Sequence, residues 1–150
     1  PILGEEFGWR AYLLPKLMPL GSRKALTISG IIWGLWHAPI IAMGYNYGNY
    51  EGNAYFGAPW TGIIMMTIAC IWLGIFLGWT TIKTKSVWPA VIGHASLNGL
   101  AAVSLIVSKG TPPLLIGPSA VGLLGGLGFI LAAIYIWYKP NELEFNKELG

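Results

Sequence analysis

Four long apolar runs, broken only by glycines, small hydroxyl residues and isolated polar side chains, divide the chain at residues 25–43, 60–82, 86–108 and 114–138. Each has about 20 residues, enough at 1.5 Å per residue for a helix to cross a hydrocarbon core of about 30 Å. Residues 1–20 form a shorter apolar helix interrupted by Pro15. It reads as the end of a span whose beginning lies upstream, and Pro1 in place of an initiating Met agrees with missing upstream helices. Residues 139–150 are polar, and Pro140 stops the last helix. The predicted fold is therefore all-α. It is a polytopic transmembrane bundle of about four full spans plus an N-terminal partial span, with one domain over residues 1–138 and a polar cytoplasmic tail over 139–150.

Composition strengthens this reading. Of the 150 residues, 55% are hydrophobic and 10% charged, against about 25% charged in a soluble domain. The net charge of +3 comes from lysines and arginines in short loops, which report membrane topology rather than nucleic-acid binding. Lys16, Arg23, Lys24, Lys83, Lys85, Lys139 and Lys147 fall on one side of the predicted membrane, and Lys109 alone falls on the other. That alternation supports the span count and a cytoplasmic C-terminus. The compactness of the chain points to a bacterial plasma membrane. Cys70 lies alone in an apolar run, where an inert buried thiol is expected. The loop 44–60, rich in Gly, Asn and aromatic rings, suits the membrane interface.

Ionisable groups inside a membrane are costly and usually functional. Here they are Glu5, Glu6, Arg10, His37 and His94, with Asn98 as an uncharged companion. From the cytoplasmic end of each span, His37 lies roughly 18 Å deep, His94 roughly 12 Å, Asn98 roughly 18 Å and Glu5 roughly 20 Å. Three helices thus place their buried polar groups in one layer, which predicts an intramembrane catalytic cavity. Glu6 and Arg10 are an i, i+4 pair able to neutralise each other. Trp33 and His37, and His94 and Asn98, share the same spacing. Glu5 is turned about 100° from Glu6, so the simplest division gives Glu6 to Arg10 and leaves Glu5 facing the histidines.

A poorly solvated carboxylate beside a histidine can hold and deprotonate water. A second histidine and an amide N–H can donate to the oxyanion formed when that water attacks a peptide bond. Two histidines and a glutamate are equally a zinc shell, with Glu5, His37 and His94 as the candidate ligands. The chain has no H-E-x-x-H, and Asn98 is a poor zinc ligand, so the version without a cofactor is favoured and zinc is kept as the alternative.

At this point the chain resembles a known family. "EEFGWR" matches E-E-x-x-x-R, "WGLWH" is similar to F-x-x-x-H, and "HASLN" matches H-x-x-x-N, in that order on successive helices. These are the motifs of the CAAX-protease and bacteriocin-processing (CPBP) intramembrane proteases. That family includes the type II prenyl-protein endopeptidases and the abortive-infection or bacteriocin self-immunity proteins. The resemblance covers residues 5–98 and extends onto the following helix. It implies a helical membrane fold with a conical cavity, and endopeptidase activity on a peptide or protein substrate within the bilayer, a prenylated CAAX protein in one branch. It also implies that Glu5 and His37 activate water, that His94 and Asn98 form the oxyanion hole, and that Glu6, Arg10 and Trp33 support the site. Trp33 stands where the pattern has Phe. The metal-free and metalloprotease versions both stay open.

Plainer readings accompany each feature. The Glu6–Arg10 pair can be purely structural, a lone membrane histidine is often bonded to a carbonyl, and glycines 122, 125, 126 and 128 are expected to allow close helix packing. Pro39 frees the carbonyl of Leu35 and is placed to kink its helix. Two rival functions use the same residues: a proton-coupled transporter, and a catalytically silent immunity or scaffold protein.

Overall fold

The computed structural model describes residues 2–47, 55–107, 109, 113, 115–139 and 141–143. The centre of the Gly/Asn-rich loop, Pro140 and Lys147 lie outside the described residues, as do Pro1 and residues 144–150. Among the described residues every regular element is helical.

The N-terminal segment runs as one helical rod: α1 (Ile2–Glu6), a π-helical stretch (Phe7–Leu13), α2 (Leu14–Leu17) and a 3₁₀ turn (Met18–Leu20). Pro15 does not end it. The proline falls in the first turn of α2, where the winding changes and its missing N–H is tolerated. Gly21, at φ +91°, turns the chain into α3 (Ser22–Trp36). The short α4 (Ala38–Ala42) continues the same span beyond a break at His37. Next come α5 (Trp60–Thr84), α6 (Trp88–Val107) and α7 (Leu127–Tyr138). Among the described residues two segments, Ser22–Ala42 and Trp60–Thr84, are long and apolar enough to cross a membrane.

The centre of the fold is α5, against which α3, α6 and α7 all pack. The closest approach is between α3 and α5, and glycines make it. A Cβ on Gly30 would sit 2.7 Å from the Ile71 Cα, and one on Gly34 would overlap the Thr67 backbone. A Cβ on Gly74 would reach the Gly30 Cα at 3.5 Å. "GIIWG" in α3 thus packs along residues 67–74 of α5, small residues bringing two backbones together where no apolar driving force operates. On either side, Met66, Cys70, Leu73 and Leu77 join one buried cluster, while Leu14, Leu26 and Ile75 join another.

The fourth predicted run is corrected. Residues 115–126 form turns rather than helix, and α7 has 12 residues. Gly122, Gly125 and Gly126 therefore do not line a helix face. The chain folds back so that Leu123 N–H donates to Leu115 O at 3.1 Å, Leu124 N–H to Ile116 O at 3.0 Å and Gly125 N–H to Gly117 O at 3.2 Å. A Cβ on Gly122 would lie 2.6 Å from Gly117 O, and one on Gly125 would overlap the Pro118 and Ser119 carbonyls. The density of Gly and Pro in "IGPSAVGLLGG" makes this compact fold-back available and a helix costly. Gly128 has open space around it.

At one end of the bundle the basic residues converge. Arg23 donates to Trp137 O through Nε and Nη2 at 3.3 and 3.0 Å. Glu142 accepts from Trp79 Nε1 at 2.9 Å and pairs with Lys83 at 3.1 Å and Lys139 at 2.9 Å. Leu143 is buried beside Leu14 and Leu26, so the polar tail opens with a turn packed onto the helices. The bonds to Lys139, Trp79 and Lys83 hold the Glu142 carboxyl down to about 2 from its ordinary 4.5.

Two outcomes are expected. Gly34→Val should destabilise the protein by about 1–3 kcal/mol through overpacking, whereas Gly128→Ala should be near neutral; thermal unfolding in detergent compares them. Because the Glu142 carboxyl is depressed, its contribution is complete above about pH 4.5 and is lost as pH falls through about 2. The difference in melting temperature between wild type and Glu142→Gln should therefore be constant near neutrality and close in strong acid.

Candidate active site

The break at His37 has a traceable cause. Pro39 has no N–H for the Leu35 carbonyl, so α3 cannot run on unbroken. The His37 N–H bends to Gly34 O at 3.1 Å. That releases the Trp33 carbonyl, which lies 2.8 Å from His37 Nδ1. A carbonyl only accepts, so Nδ1–H donates, and His37 Nε2 is left free to take a proton.

Opposite it lies the N-terminal rod. Glu6 has no exposed surface, and Arg10 is 3% exposed. Arg10 Nη1 donates to Glu6 Oε1 at 2.8 Å, confirming the i, i+4 pair. The same oxygen lies 2.7 Å from His94 Nδ1, which reaches across from α6. The Arg10 guanidinium stacks over the Trp33 ring at 4.3 Å, and Trp33 Nε1 donates to Glu5 Oε2 at 3.3 Å. His94 meets the Trp33 ring edge-on at 5.2 Å, and Trp36 meets His37 at 5.2 Å.

The structure thus gathers Glu5, Glu6, Arg10, Trp33, His37 and His94 in one network from three helical segments. The pairing differs from the simplest division of the two acids. Glu6, rather than Glu5, touches a histidine; Glu5 is held by the Trp33 indole and makes no hydrogen bond to His37 or His94. Glu6 ends α1, where its direction turns inward to Arg10 and α6, while Glu5 stays partly exposed. Asn98, one turn beyond buried His94, is exposed on α6 and stands outside the network. No three His, Cys, Asp or Glu side chains among the described residues are placed to hold a metal ion together. Glu5, His37 and His94 are not gathered into such a group. Trp9, edge-on to Trp36 at 6.0 Å, extends an aromatic wall beside His37; its only signal in the sequence is its place between Glu6 and Arg10.

Comparison with known proteins identifies the family. Residues 1–100, which contain every member of the network and Asn98, match the Rce1-like family, described as type II CAAX prenyl endopeptidase Rce1-like. The chain belongs to this family. It is also 34% identical over 148 residues to CAAX prenyl protease 2 of Methanococcus maripaludis, an alignment covering 97% of this chain and 49% of that protein. The chain thus spans about half the length of the curated relative it matches. No solved structure matches it. The Rce1-like match ends within α6, so the network falls inside it and the fold-back and α7 lie beyond. Membership of this membrane-embedded family accounts for the two apolar helices of spanning length.

Trp33→Phe keeps a ring over Arg10 but removes the N–H donated to Glu5. It is expected to lower stability by about 1 kcal/mol, against about 3–5 kcal/mol for Trp33→Ala, which also empties the ring's place. Denaturation in detergent measures both.

Proposed function

We propose that this chain carries the active site of an intramembrane endopeptidase, in which a carboxylate and a histidine activate water against a peptide bond. The observation that carries the reading is the Trp33-centred network. It holds Glu5 through the indole N–H, fixes His37 with Nε2 free, and lies against His94 bonded to Glu6. Its members coincide with the E-E-x-x-x-R, aromatic-x-x-x-H and H-x-x-x-N motifs.

In this reading Glu5, assisted by His37, takes a proton from water as the oxygen attacks the carbonyl carbon. The tetrahedral oxyanion is stabilised by His94 and Asn98. With Nδ1 bonded to Glu6, Nε2 is the His94 nitrogen offered to the oxyanion. Collapse breaks the C–N bond, the proton taken from water passes to the leaving nitrogen, and the products are a carboxylate and an amine. For Asn98 to donate, its side chain turns from its exposed position toward the substrate as the substrate docks. Arg10 holds Glu6 in place.

The substrate class we favour is a protein whose C-terminus is prenylated and ends in a CAAX sequence, from the family description and the relative's name; bacteriocin-type peptide processing is the second option. We assign the basic end of the bundle, where Arg23, Lys83 and Lys139 meet, to the cytoplasmic face, a reading that their charge supports. A multi-pass arrangement in a bacterial plasma membrane is the topology we favour.

Two outcomes test the reading in proteoliposomes with a prenylated peptide. Glu5→Gln should abolish hydrolysis, by at least about 10²-fold for loss of the base, while unfolding temperature stays near wild type. Thorough chelation should leave wild-type activity intact, with no stoichiometric zinc by elemental analysis. Full activity in Glu5→Gln would overturn the mechanism, and proton-coupled flux without cleavage would favour a transporter.

A further inference from the structure

We infer that Trp36 is a positioning residue that acts through His37, with Trp9 behind it, so that a chain of three rings joins the N-terminal rod to the site. This deepens the hydrolase reading above and rests on it. The His37 side chain is half-buried, and among the described residues its ring makes one hydrogen bond, from Nδ1 to Trp33 O at 2.8 Å. One bond fixes one edge of the ring. The terminal torsion of histidine is broad, so that bond alone lets the ring rock and carry Nε2 off line.

Two indoles limit that motion. Trp33 lies 6.0 Å from the His37 ring at 59°, and Trp36 lies 5.2 Å from it at 90°. Neighbouring residues of a regular helix do not face each other. Trp36 is the last residue of α3, however, and His37 lies beyond it at the break, where the two rings meet edge to face. The Trp36 ring is itself braced by Trp9, 6.0 Å away at 73°. Trp9 stands on the rod between Glu6 and Arg10, and its Nε1 is buried without a hydrogen-bond partner among the described residues. A buried donor left unmade is costly. Phenylalanine would avoid that cost, so the reach of the indole is what this position uses. The rod thus meets α3 at two points, Glu5 on the Trp33 indole and Trp9 on Trp36. The first sets the carboxylate, and the second sets the histidine that assists it.

Three substitutions in proteoliposomes with the prenylated peptide separate positioning from plain structural support. Trp36 is 53% exposed, so Trp36→Leu should leave the unfolding temperature near wild type. It is expected to lower kcat about 10- to 100-fold with KM little changed, and Trp36→Phe, which keeps a ring against His37, should recover most of that loss. Trp9→Leu should also lower kcat, and should add little in a Trp36→Leu background, because its effect passes through that ring. Solid-state ¹⁵N NMR of labelled histidine should show one sharp set of His37 signals in wild type and Trp36→Phe, and a broadened or doubled set in Trp36→Leu, with the His94 signals unchanged in all three. Wild-type kcat in Trp36→Leu, a loss confined to KM, no recovery in Trp36→Phe, an additive loss in the double variant, or an unchanged His37 spectrum would each refute the inference. If wild type cleaves no peptide, the hydrolase reading fails, and the spectrum still decides whether Trp36 orients the His37 ring.

Discussion

A carboxylate with no exposed surface has to be neutralised and hydrogen-bonded where it sits, because removing one partner of a buried ion pair costs about 3–5 kcal/mol. Glu6 meets that demand with donors from two directions: Arg10 one turn along its own segment, and His94 from α6. The remainder of the site follows from it. Arg10 must lie against Glu6, and its flat cation finds the face of Trp33. Trp33 in turn bonds Glu5 through its indole and His37 through its backbone carbonyl. One buried charge thereby fixes the relative places of three helical segments.

That arrangement requires α3 to lie very close to the centre of the bundle, and the glycines of α3 and α5 make the approach possible. With a side chain at Gly30 or Gly34, α3 would be pushed outward and Trp33, between them in sequence, would leave the Arg10 guanidinium. Packing and chemistry are coupled along one turn of helix. Pro39 adds the second local device, a break that converts the Trp33 carbonyl from a helix acceptor into the anchor of His37. The helical content of the chain is ordinary for a membrane bundle; these two local departures from regular packing and regular winding are what place the ionisable groups.

Much of this was legible from residue order. The limits of α5 and α6 followed the apolar runs closely, because Trp60, the Lys83–Lys85 loop and Pro89 mark changes of environment that hydropathy reads directly. The Glu6–Arg10 pair followed from i, i+4 spacing, and the break near His37 from Pro39. Less legible was the fold-back of residues 115–126. Its hydropathy resembles a span, and only the clustering of Gly with Pro118 and Ser119 distinguishes it. The close packing of Gly30 and Gly34 on residues 67–74 of α5 was not legible either, because which small residues meet depends on which helices become neighbours.

The amino-acid sequence by itself determined an all-helical membrane protein, the motifs that place it among the CAAX proteases, and the set of ionisable residues, because burial cost and helical spacing act locally along the chain. Which carboxylate meets which histidine was decided only in three dimensions. Glu5 and Glu6 are adjacent in sequence and differ by one step around a helix. Whether that step points to α6 or to Trp33 depends on how closely α3 approaches α5 and on where the N-terminal rod lies against both. Tertiary packing thus gave Glu6 to His94 and Glu5 to the Trp33 indole, and left Asn98 exposed one turn beyond.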